Sequence, residues 1–170
     1  MEIKSQLINS LGQSLDVIYY EGLDPNQNLG GKIFQAVHAF CFYGGKFVLV
    51  YHNDKRYWGP PGGGIELGET YEKAVVREVQ EETNMKVLHQ ELIGFQDIYE
   101  KDKIIRQTRS FCVVEPYGDF VSDPDGDITE IKLIDPKDYK QYVQWGEIGD
   151  HIVRSAVEMF DKYENLVQQN

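Results

Sequence analysis

Several short segments of the chain are mainly apolar and are bounded by turn-forming residues, a pattern that predicts β-strands. β-Branched and aromatic residues dominate these segments, which favours extended backbone over helix. Two of the segments flank Gly44-Gly45, a dipeptide typical of a tight hairpin turn. The predicted strands cover residues 33–43, 46–52, a run within 86–99, 104–117 and 128–134.

A second pattern, with a period close to that of an α-helix, predicts an amphipathic helix over Tyr71–Thr83. Thr70 is suited to the N-cap because its hydroxyl can accept a hydrogen bond from a free backbone N–H. Asn84 stands where the helix must stop, and asparagine tolerates the left-handed conformation that closes many helices. Both ends of this helix are therefore marked in the sequence.

The C-terminal part of the chain predicts two further helices. A short one covers residues 136–142, and apolar residues at helical spacing extend over residues 150–167. Strands that surround one central helix and precede a terminal helix indicate an α/β protein with helices packed on a sheet.

The first 31 residues have the least regular pattern. Residues 5–15 show a weak helical period, residues 16–21 are suited to a short strand, and residues 23–31 form a turn-rich linker. Three roles stay open for this segment: a lid, an edge strand, or an arm that contacts a second copy of the chain.

Composition limits the function classes. The length of 170 residues and a hydrophobic fraction of 41% suit one globular domain. The net charge of −11 argues against a groove for duplex nucleic acid and against binding to an anionic membrane. The sequence has no long apolar run and no leader pattern, and Cys41 and Cys112 lie in apolar strands. We therefore expect a cytoplasmic protein with free thiols.

The most specific pattern combines a glycine run, Gly62–Gly64, with an acidic helix face. Glu78, Glu81 and Glu82 are spaced i, i+3 and i+4, so their carboxylates lie on one side of the helix. Three hard oxygen ligands suit Mg²⁺ or Mn²⁺. Taken alone, such a face is more often a solvated surface, so the neighbouring residues decide its interpretation.

These neighbouring residues resemble the Nudix box, G-x5-E-x7-R-E-U-x-E-E-x-G-U, in which U is a bulky aliphatic residue. Asn84 replaces the second glycine of the pattern. Because both residue types favour a left-handed helix end, this difference affects the cap and not the chemistry. The matching positions are Gly63, Glu69, Arg77, Glu78, Val79, Glu81, Glu82 and Met85.

The resemblance implies an α/β/α sandwich with a mixed sheet, formed by residues 32–170 after an N-terminal extension, residues 1–31. It also implies an enzyme, a Nudix pyrophosphohydrolase, that uses Mg²⁺, with Mn²⁺ as a substitute, to hydrolyse a diphosphate bond in a nucleoside diphosphate derivative. A non-catalytic nucleotide sensor with the same fold is the alternative, although such proteins usually lose the glutamates. Homodimers are common among relatives, so a homodimer is a candidate state.

The resemblance favours NTP, dNTP or nucleotide-sugar substrates. The lead-in sequence WGPPGGG lacks the lysine or glutamine after proline that often marks relatives acting on dinucleoside polyphosphates and RNA ends. Substrates of those two kinds are therefore disfavoured.

The resemblance assigns metal ligation to Glu78, Glu81 and Glu82, and to the backbone carbonyl of Gly62. Gly63 is expected to be structural, because a residue without Cβ lets two backbone segments approach closely.

Arg77 has two candidate roles, contact with a substrate phosphate and orientation of the glutamates of the box, and the resemblance favours the second. Glu69 is the expected partner, in a bidentate pair that a lysine at position 77 could not form equally well. The general base stays open between the box residues Glu81 and Glu82 and the later glutamate Glu130, which lies on the strand predicted at residues 128–134.

Four residues near the box are candidates for substrate contacts. Tyr57, Trp58 and Tyr99 offer aromatic surfaces, and His38 lies on the strand that lines the cleft in relatives. Aromatic side chains fill cores more often than they bind ligands, so each of them has a packing role as its alternative.

Overall fold

A computed structural model describes residues 1–9 and 11–169 of the chain. The described residues form nine strands, two α-helices and one 3₁₀ helix, Pro136–Gln141. The strands are β1 (Glu2–Ile8), β2 (Ser14–Tyr20), β3 (Lys32–Tyr43), β4 (Lys46–His52), β5 (Tyr57–Gly59), β6 (Gly62–Gly64), β7 (Met85–Tyr99), β8 (Ile104–Pro116) and β9 (Ile128–Ile134), and the helices are α1 (Tyr71–Thr83) and α2 (Gly146–Gln168).

The strands form one mixed sheet in the order β1-β2-β7-β8-β3-β4-β5. β6 pairs with β3, and β9 pairs with β4. β3 and β8 run parallel, whereas the other described pairs are antiparallel. The predicted α/β fold with a mixed sheet is therefore confirmed.

The two helices pack on opposite faces of the sheet, and β3 shows how the sequence specifies this. Val37, Ala39 and Cys41 belong to the apolar cluster that includes the buried side of α1. Phe40 and Phe42 belong to the larger cluster that includes α2. Successive side chains of a strand point to opposite faces, so this one strand supplies both cores.

The N-terminal residues differ from the prediction. Residues 5–15 were expected to be weakly helical, and this is wrong, because β1 and β2 form an antiparallel hairpin whose second strand pairs with β7. Ile3 and Leu7 alternate with exposed residues and pack against the core beside α2, and this burial outweighs a weak helical pattern. The hairpin is an edge of the sheet, one of the three roles left open. Ser10, within the segment expected to be helical, and Asn170, the end of the expected domain, lie outside the described residues.

The terminal helix begins at Gly146, one turn before the predicted start. Glycines at 146 and 149 disfavoured a helix there, because glycine lowers helix stability. Trp145 explains Gly149: a Cβ at that position would lie 2.0 Å from the Trp145 Cβ. The Trp145 ring packs edge-on against Phe40 and Phe47 and so fixes the start of the helix on the sheet.

No helix among the described residues is both long enough and apolar enough to cross a membrane.

A buried ion network attaches the linker after β2 to the sheet. Arg106 is 2% exposed and donates two hydrogen bonds to Asp97, at 2.8 and 2.9 Å. Lys32 donates to the same carboxylate at 2.6 Å. Arg106 also donates to the backbone carbonyls of Pro25 and Gln27, at 2.8 and 2.6 Å. Three strands, β3, β7 and β8, and the linker are therefore joined by one set of charges.

The Asp97 carboxylate is stabilised in its charged form. Burial alone would raise its pKa, but the hydrogen bonds from Arg106 and Lys32 outweigh burial, so the pKa lies below its ordinary value.

We expect Asp97→Asn to lower the free energy of unfolding by about 3–5 kcal/mol, because Arg106 would remain charged and buried without its partner. Urea denaturation at pH 7 measures this. The control is Glu100→Gln, which removes a partly exposed pair with Lys103 and should cost less than about 1 kcal/mol. Equal losses in the two variants would contradict the structural role of the network.

Candidate active site

The glycine run lies between β3 and α1, where there is no room for a side chain at Gly62 or Gly63. β6 pairs with β3, with Gly62 opposite His38 and Gly63 opposite Val37. A Cβ on Gly63 would lie 2.6 Å from a Glu78 carboxylate oxygen. A Cβ on Gly62 would lie 2.1 Å from the Val37 carbonyl oxygen. Both glycines are therefore needed for the backbone to pass between the helix and the strand.

Both predicted ends of α1 are confirmed. The Thr70 hydroxyl accepts a hydrogen bond from the Lys73 N–H at 3.4 Å. Asn84 adopts the left-handed conformation, with φ 54° and ψ 36°, and its N–H donates to the Gln80 carbonyl. Its side-chain amide also donates to the Asp119 carbonyl at 3.0 Å, a bond that glycine could not make.

The segment after β8 closes beside this helix end. The Asp123 carboxylate is buried and accepts hydrogen bonds from the backbone N–H groups of Asp125, Asp127 and Ile128, at 3.1 to 3.3 Å. These bonds make the acidic sequence DPDGD a closed turn.

Arg77 connects the loop after β6 with the acidic face of α1. Its Nε and Nη2 atoms each donate to Glu69 at 3.0 Å, so the predicted bidentate pair is present. Nη1 donates to Glu78 at 2.7 Å and to Glu81 at 3.2 Å. Nη2 also donates to the Gly64 carbonyl at 2.8 Å. One guanidinium therefore holds three carboxylates and the glycine run together.

Glu78 and Glu82 are unusually buried for carboxylates, at 9% and 8% exposure. Burial raises the pKa of Glu82 to about 8, although a hydrogen bond from the Gly62 N–H, 2.8 Å long, opposes this. Burial also raises the pKa of Glu78, and Arg77 only partly offsets it. The helix therefore carries two carboxylates whose negative charge is poorly compensated within the chain.

The donor set fits a divalent cation in its chemistry, since hard carboxylate oxygens without full compensation are what Mg²⁺ and Mn²⁺ bind. Among residues 1–9 and 11–169, however, no three His, Cys, Asp or Glu side chains converge as metal ligands do. The hydrogen bonds explain the difference: Arg77 engages one oxygen each of Glu78 and Glu81, and Gly62 engages one oxygen of Glu82. The other oxygen of each glutamate has no hydrogen bond among the described residues.

A cleft of about 530 Å³ opens beside Gly62–Gly64, on the α2 side of the sheet. His38 and Tyr57, two of the candidates for substrate contacts, line it. Burial raises the pKa of Tyr57, and the charges of Asp54 and Glu82 add to this. Tyr57 therefore lines the cleft within electrostatic range of Glu82 on the acidic helix.

The other two candidates for substrate contacts lie outside the lining of this cleft as the structure describes it. Trp58 packs against Tyr51, and the Lys132 ammonium lies 4.7 Å from its ring centre. Tyr99 ends β7, opposite Ile104. Trp58 therefore has a packing role that accounts for its position.

Glu130, the later candidate for the general base, is exposed on β9 opposite Tyr51. None of the hydrogen bonds or ion pairs of the described residues joins it to Glu78, Glu81 or Glu82.

Sequence analysis missed Arg109, a buried residue that lines the same cleft. The signal was available in the alternation of β8, because Arg109 has the same parity as Phe111 and Val113, which belong to the core beside α2. A charged residue at an inward position of a strand marks either an ion pair or a ligand.

Comparison with known proteins agrees with this geometry. A family model described as the NUDIX domain matches residues 32–154. The chain therefore belongs to the Nudix family.

YtkD of Bacillus subtilis, which carries a provisional assignment as an 8-oxo-dGTP diphosphatase, is 37% identical over 79 residues, 46% of this chain and 49% of YtkD. An RNA pyrophosphohydrolase of Orientia tsutsugamushi is 64% identical over 28 residues, 16% of this chain and 17% of that protein. These alignments span half or less of the relatives. They support a Nudix hydrolase.

Among solved structures, the pyrophosphohydrolase BsRppH of Bacillus subtilis superimposes with a TM-score of 0.69 at 21% identity, covering 91% of this chain and 97% of that one. A MutT structure, from work on Aliivibrio salmonicida and Vibrio cholerae, has a TM-score of 0.55 at 21% identity, covering 75% and 99%. At this identity the likeness shows the fold alone.

We expect Glu82→Gln to stabilise the protein in chelator, and more so as the pH rises. The folded pKa of Glu82 is above its unfolded value, so the wild-type protein loses stability as the pH rises from about 4.5 to about 8, and the amide variant does not. The gain should approach a few kcal/mol above pH 8 and vanish near pH 4.5.

Urea denaturation at several pH values tests this. The control is Glu72→Gln, on the same helix but exposed, which should show little pH-dependent gain. A pH-independent difference between Glu82→Gln and the wild-type protein would exclude the buried charge as its cause.

Proposed function

We propose that this protein hydrolyses a diphosphate bond in a nucleoside diphosphate derivative, of the NTP, dNTP or nucleotide-sugar type, with Mg²⁺ as its metal and Mn²⁺ as a substitute. The observation that carries the proposal is the Arg77 network, which holds Glu69, Glu78 and Glu81 together and also binds the Gly64 carbonyl. Through Gly64 this network joins the glycine run that lines a cleft large enough for a nucleotide. The names of YtkD and of the RNA pyrophosphohydrolases support hydrolysis of a diphosphate bond.

In this proposal the free oxygens of Glu78, Glu81 and Glu82, with the Gly62 carbonyl, hold the cation. A bound divalent cation supplies charge neutralisation at the phosphates and a more acidic water. The chain itself has an excess of negative charge, with 28 acidic and 17 basic residues, so a cation would offset its repulsion of the phosphates.

Arg77 acts as a positioning residue. Its five N–H groups are directed to side chains and a carbonyl of the chain itself, so its role is to fix the carboxylates and not to bind phosphate. Its bond to the Gly64 carbonyl also holds the glycine run against α1.

Glu82 is one candidate for the general base, because its buried carboxylate lies among the groups proposed to hold the cation. Glu81 is the more accessible of the two candidates within the box, and Glu130 remains the candidate outside it. Comparing Glu81→Gln, Glu82→Gln and Glu130→Gln distinguishes the three, because loss of the base lowers kcat and removes one limb of its pH profile.

We expect Glu82→Gln to keep the fold and to lower turnover by several orders of magnitude, since it removes both a metal ligand and a candidate base. The assay is phosphate or pyrophosphate release from a nucleotide panel with Mg²⁺, with Mn²⁺, and with chelator. Glu72→Gln is again the control. Metal-dependent release supports catalysis, whereas nucleotide binding without release would favour the sensor alternative.

We expect Arg77→Lys to lower kcat about 100-fold and to change KM much less, because misplaced catalytic groups slow the reaction without removing substrate contacts. An ammonium cannot reproduce the bidentate pair with Glu69. Steady-state kinetics on one nucleotide measures both constants. A similar loss in kcat and in substrate affinity would instead indicate that Arg77 contacts the substrate.

A further inference from the structure

Arg109 is a buried cation without an acidic partner. It is 9% exposed, and among the described residues no carboxylate forms an ion pair with it. Its Nη1 contacts the His38 Nδ1 at 2.9 Å and donates to the Thr108 carbonyl at 2.9 Å, and its Nη2 donates to Gln107 at 3.2 Å. Burial lowers the pKa of Arg109 to about 10, so it remains charged at neutral pH. Such a charge is costly unless another group compensates it.

His38 is held neutral beside this arginine. Burial and the Arg109 charge lower its pKa well below the ordinary value. A guanidinium has no acceptor atom, so the His38 Nδ1 must accept the hydrogen bond from Arg109. The proton of the neutral ring is then on Nε2, which becomes a hydrogen-bond donor.

The next residues extend the same polarity. The Gln107 carbonyl oxygen accepts from Arg109, and its amide nitrogen donates to the Gln35 carbonyl oxygen at 3.3 Å. The NH₂ group of Gln35 is therefore left as a donor. This side of the cleft is lined by His38, Arg109, Gln107 and Gln35. Because the hydrogen bonds among these side chains use their acceptor atoms, this wall of the cleft is rich in hydrogen-bond donors.

The rest of the cleft combines apolar residues with uncharged polar side chains and Lys55, and it lacks negative charge. The chain has 28 acidic residues, yet no Asp or Glu side chain belongs to the described lining. Phe40, Trp145 and Ile152 line it near Arg109 and His38. A flat ring with acceptor atoms on one edge fits such a surface better than a hydrated phosphate group, because the ring can be buried against the apolar residues.

We propose that Arg109 and His38 form a subsite that recognises a purine base by acceptor atoms on its edge, and so selects guanine or hypoxanthine over adenine. Guanine presents two acceptors, O6 and N7, which match donors from Arg109 and His38. Adenine presents an amino group in place of O6, and this donor would face the donors of the cleft. A buried donor without an acceptor is penalised, which gives the site its selectivity.

This inference deepens the proposed function, because it names the base of a nucleotide substrate. It is tested first without catalysis, by calorimetric binding of GMP, IMP, AMP and inorganic pyrophosphate in chelator. We expect the wild-type protein to bind GMP and IMP roughly 10- to 100-fold more tightly than AMP. The hydrolysis assay then compares kcat/KM for GTP and ATP with Mg²⁺, where the same ratio is expected.

The variant is Arg109→Met, which keeps the length of the side chain and removes the charge. We expect it to lose the preference for GMP and to unfold at a higher temperature in the absence of nucleotide, because an uncompensated buried charge is gone. Arg109→Lys keeps the charge without the planar fork and should also lose most of the preference. Arg154→Met is the control, because Arg154 is exposed on α2 outside the lining and its loss should leave the preference unchanged.

The possible outcomes distinguish failure of the base subsite from failure of the proposed hydrolytic function. Equal binding of GMP and AMP by the wild-type protein would overturn the subsite, even if both triphosphates are hydrolysed. Equal loss of GMP, AMP and pyrophosphate binding in Arg109→Met would show that Arg109 binds phosphate, which also overturns it. Preferential GMP binding that Arg109→Met abolishes, without hydrolysis of any nucleotide, would support the subsite and reject the proposed function.

Discussion

The arrangement of the candidate active site depends on one charged group, the guanidinium of Arg77. The acidic face of α1 and the carboxylate of Glu69 would repel one another without a cation between them. Arg77 supplies that cation and, through its planar geometry, also sets the directions in which the carboxylates point. Its bond to the Gly64 carbonyl adds the backbone of β6 to the same unit. The position of the glycine run and the spacing of the acids therefore have one common cause.

The parallel pair of β3 and β8 separates two kinds of chemistry. On the α1 side, the small residues Ala39 and Cys41 allow the helix to lie close to the sheet, which brings its glutamates to the edge of β6. On the α2 side, the same two strands carry Phe40 and Phe111 in the core, and two residues earlier they carry His38 and Arg109, which line the cleft. Acidic groups and hydrogen-bond donors thus lie on opposite faces, and the glycine run lies where the two faces meet.

The local parts of this architecture could be predicted from the sequence, and the long-range parts could not. The ends of α1, its acidic face and the pair between Arg77 and Glu69 follow from short spacings, and the structure contains each of them. The hairpin of β1 and β2 was predicted only in part, as a short strand at residues 16–21, because its stability comes from pairing with β7, far along the chain. Arg109 was missed because its meaning depends on the absence of an acidic neighbour, which only the packed structure shows.

The departure of this chain from the motif at Asn84 has a consequence for the segment between β8 and β9. The Asn84 amide fixes that segment at Asp119, and the carboxylate of Asp123 fixes it again. Only residues 120–122 lie between these two anchors. Loop entropy depends on the number of residues that are free to move, so the connection has the flexibility of a much shorter loop. The acidic turn at Asp123 is thereby kept at a nearly constant distance from the poorly compensated carboxylate of Glu82. The negative charge of Asp123 adds to burial in raising the pKa of Glu82.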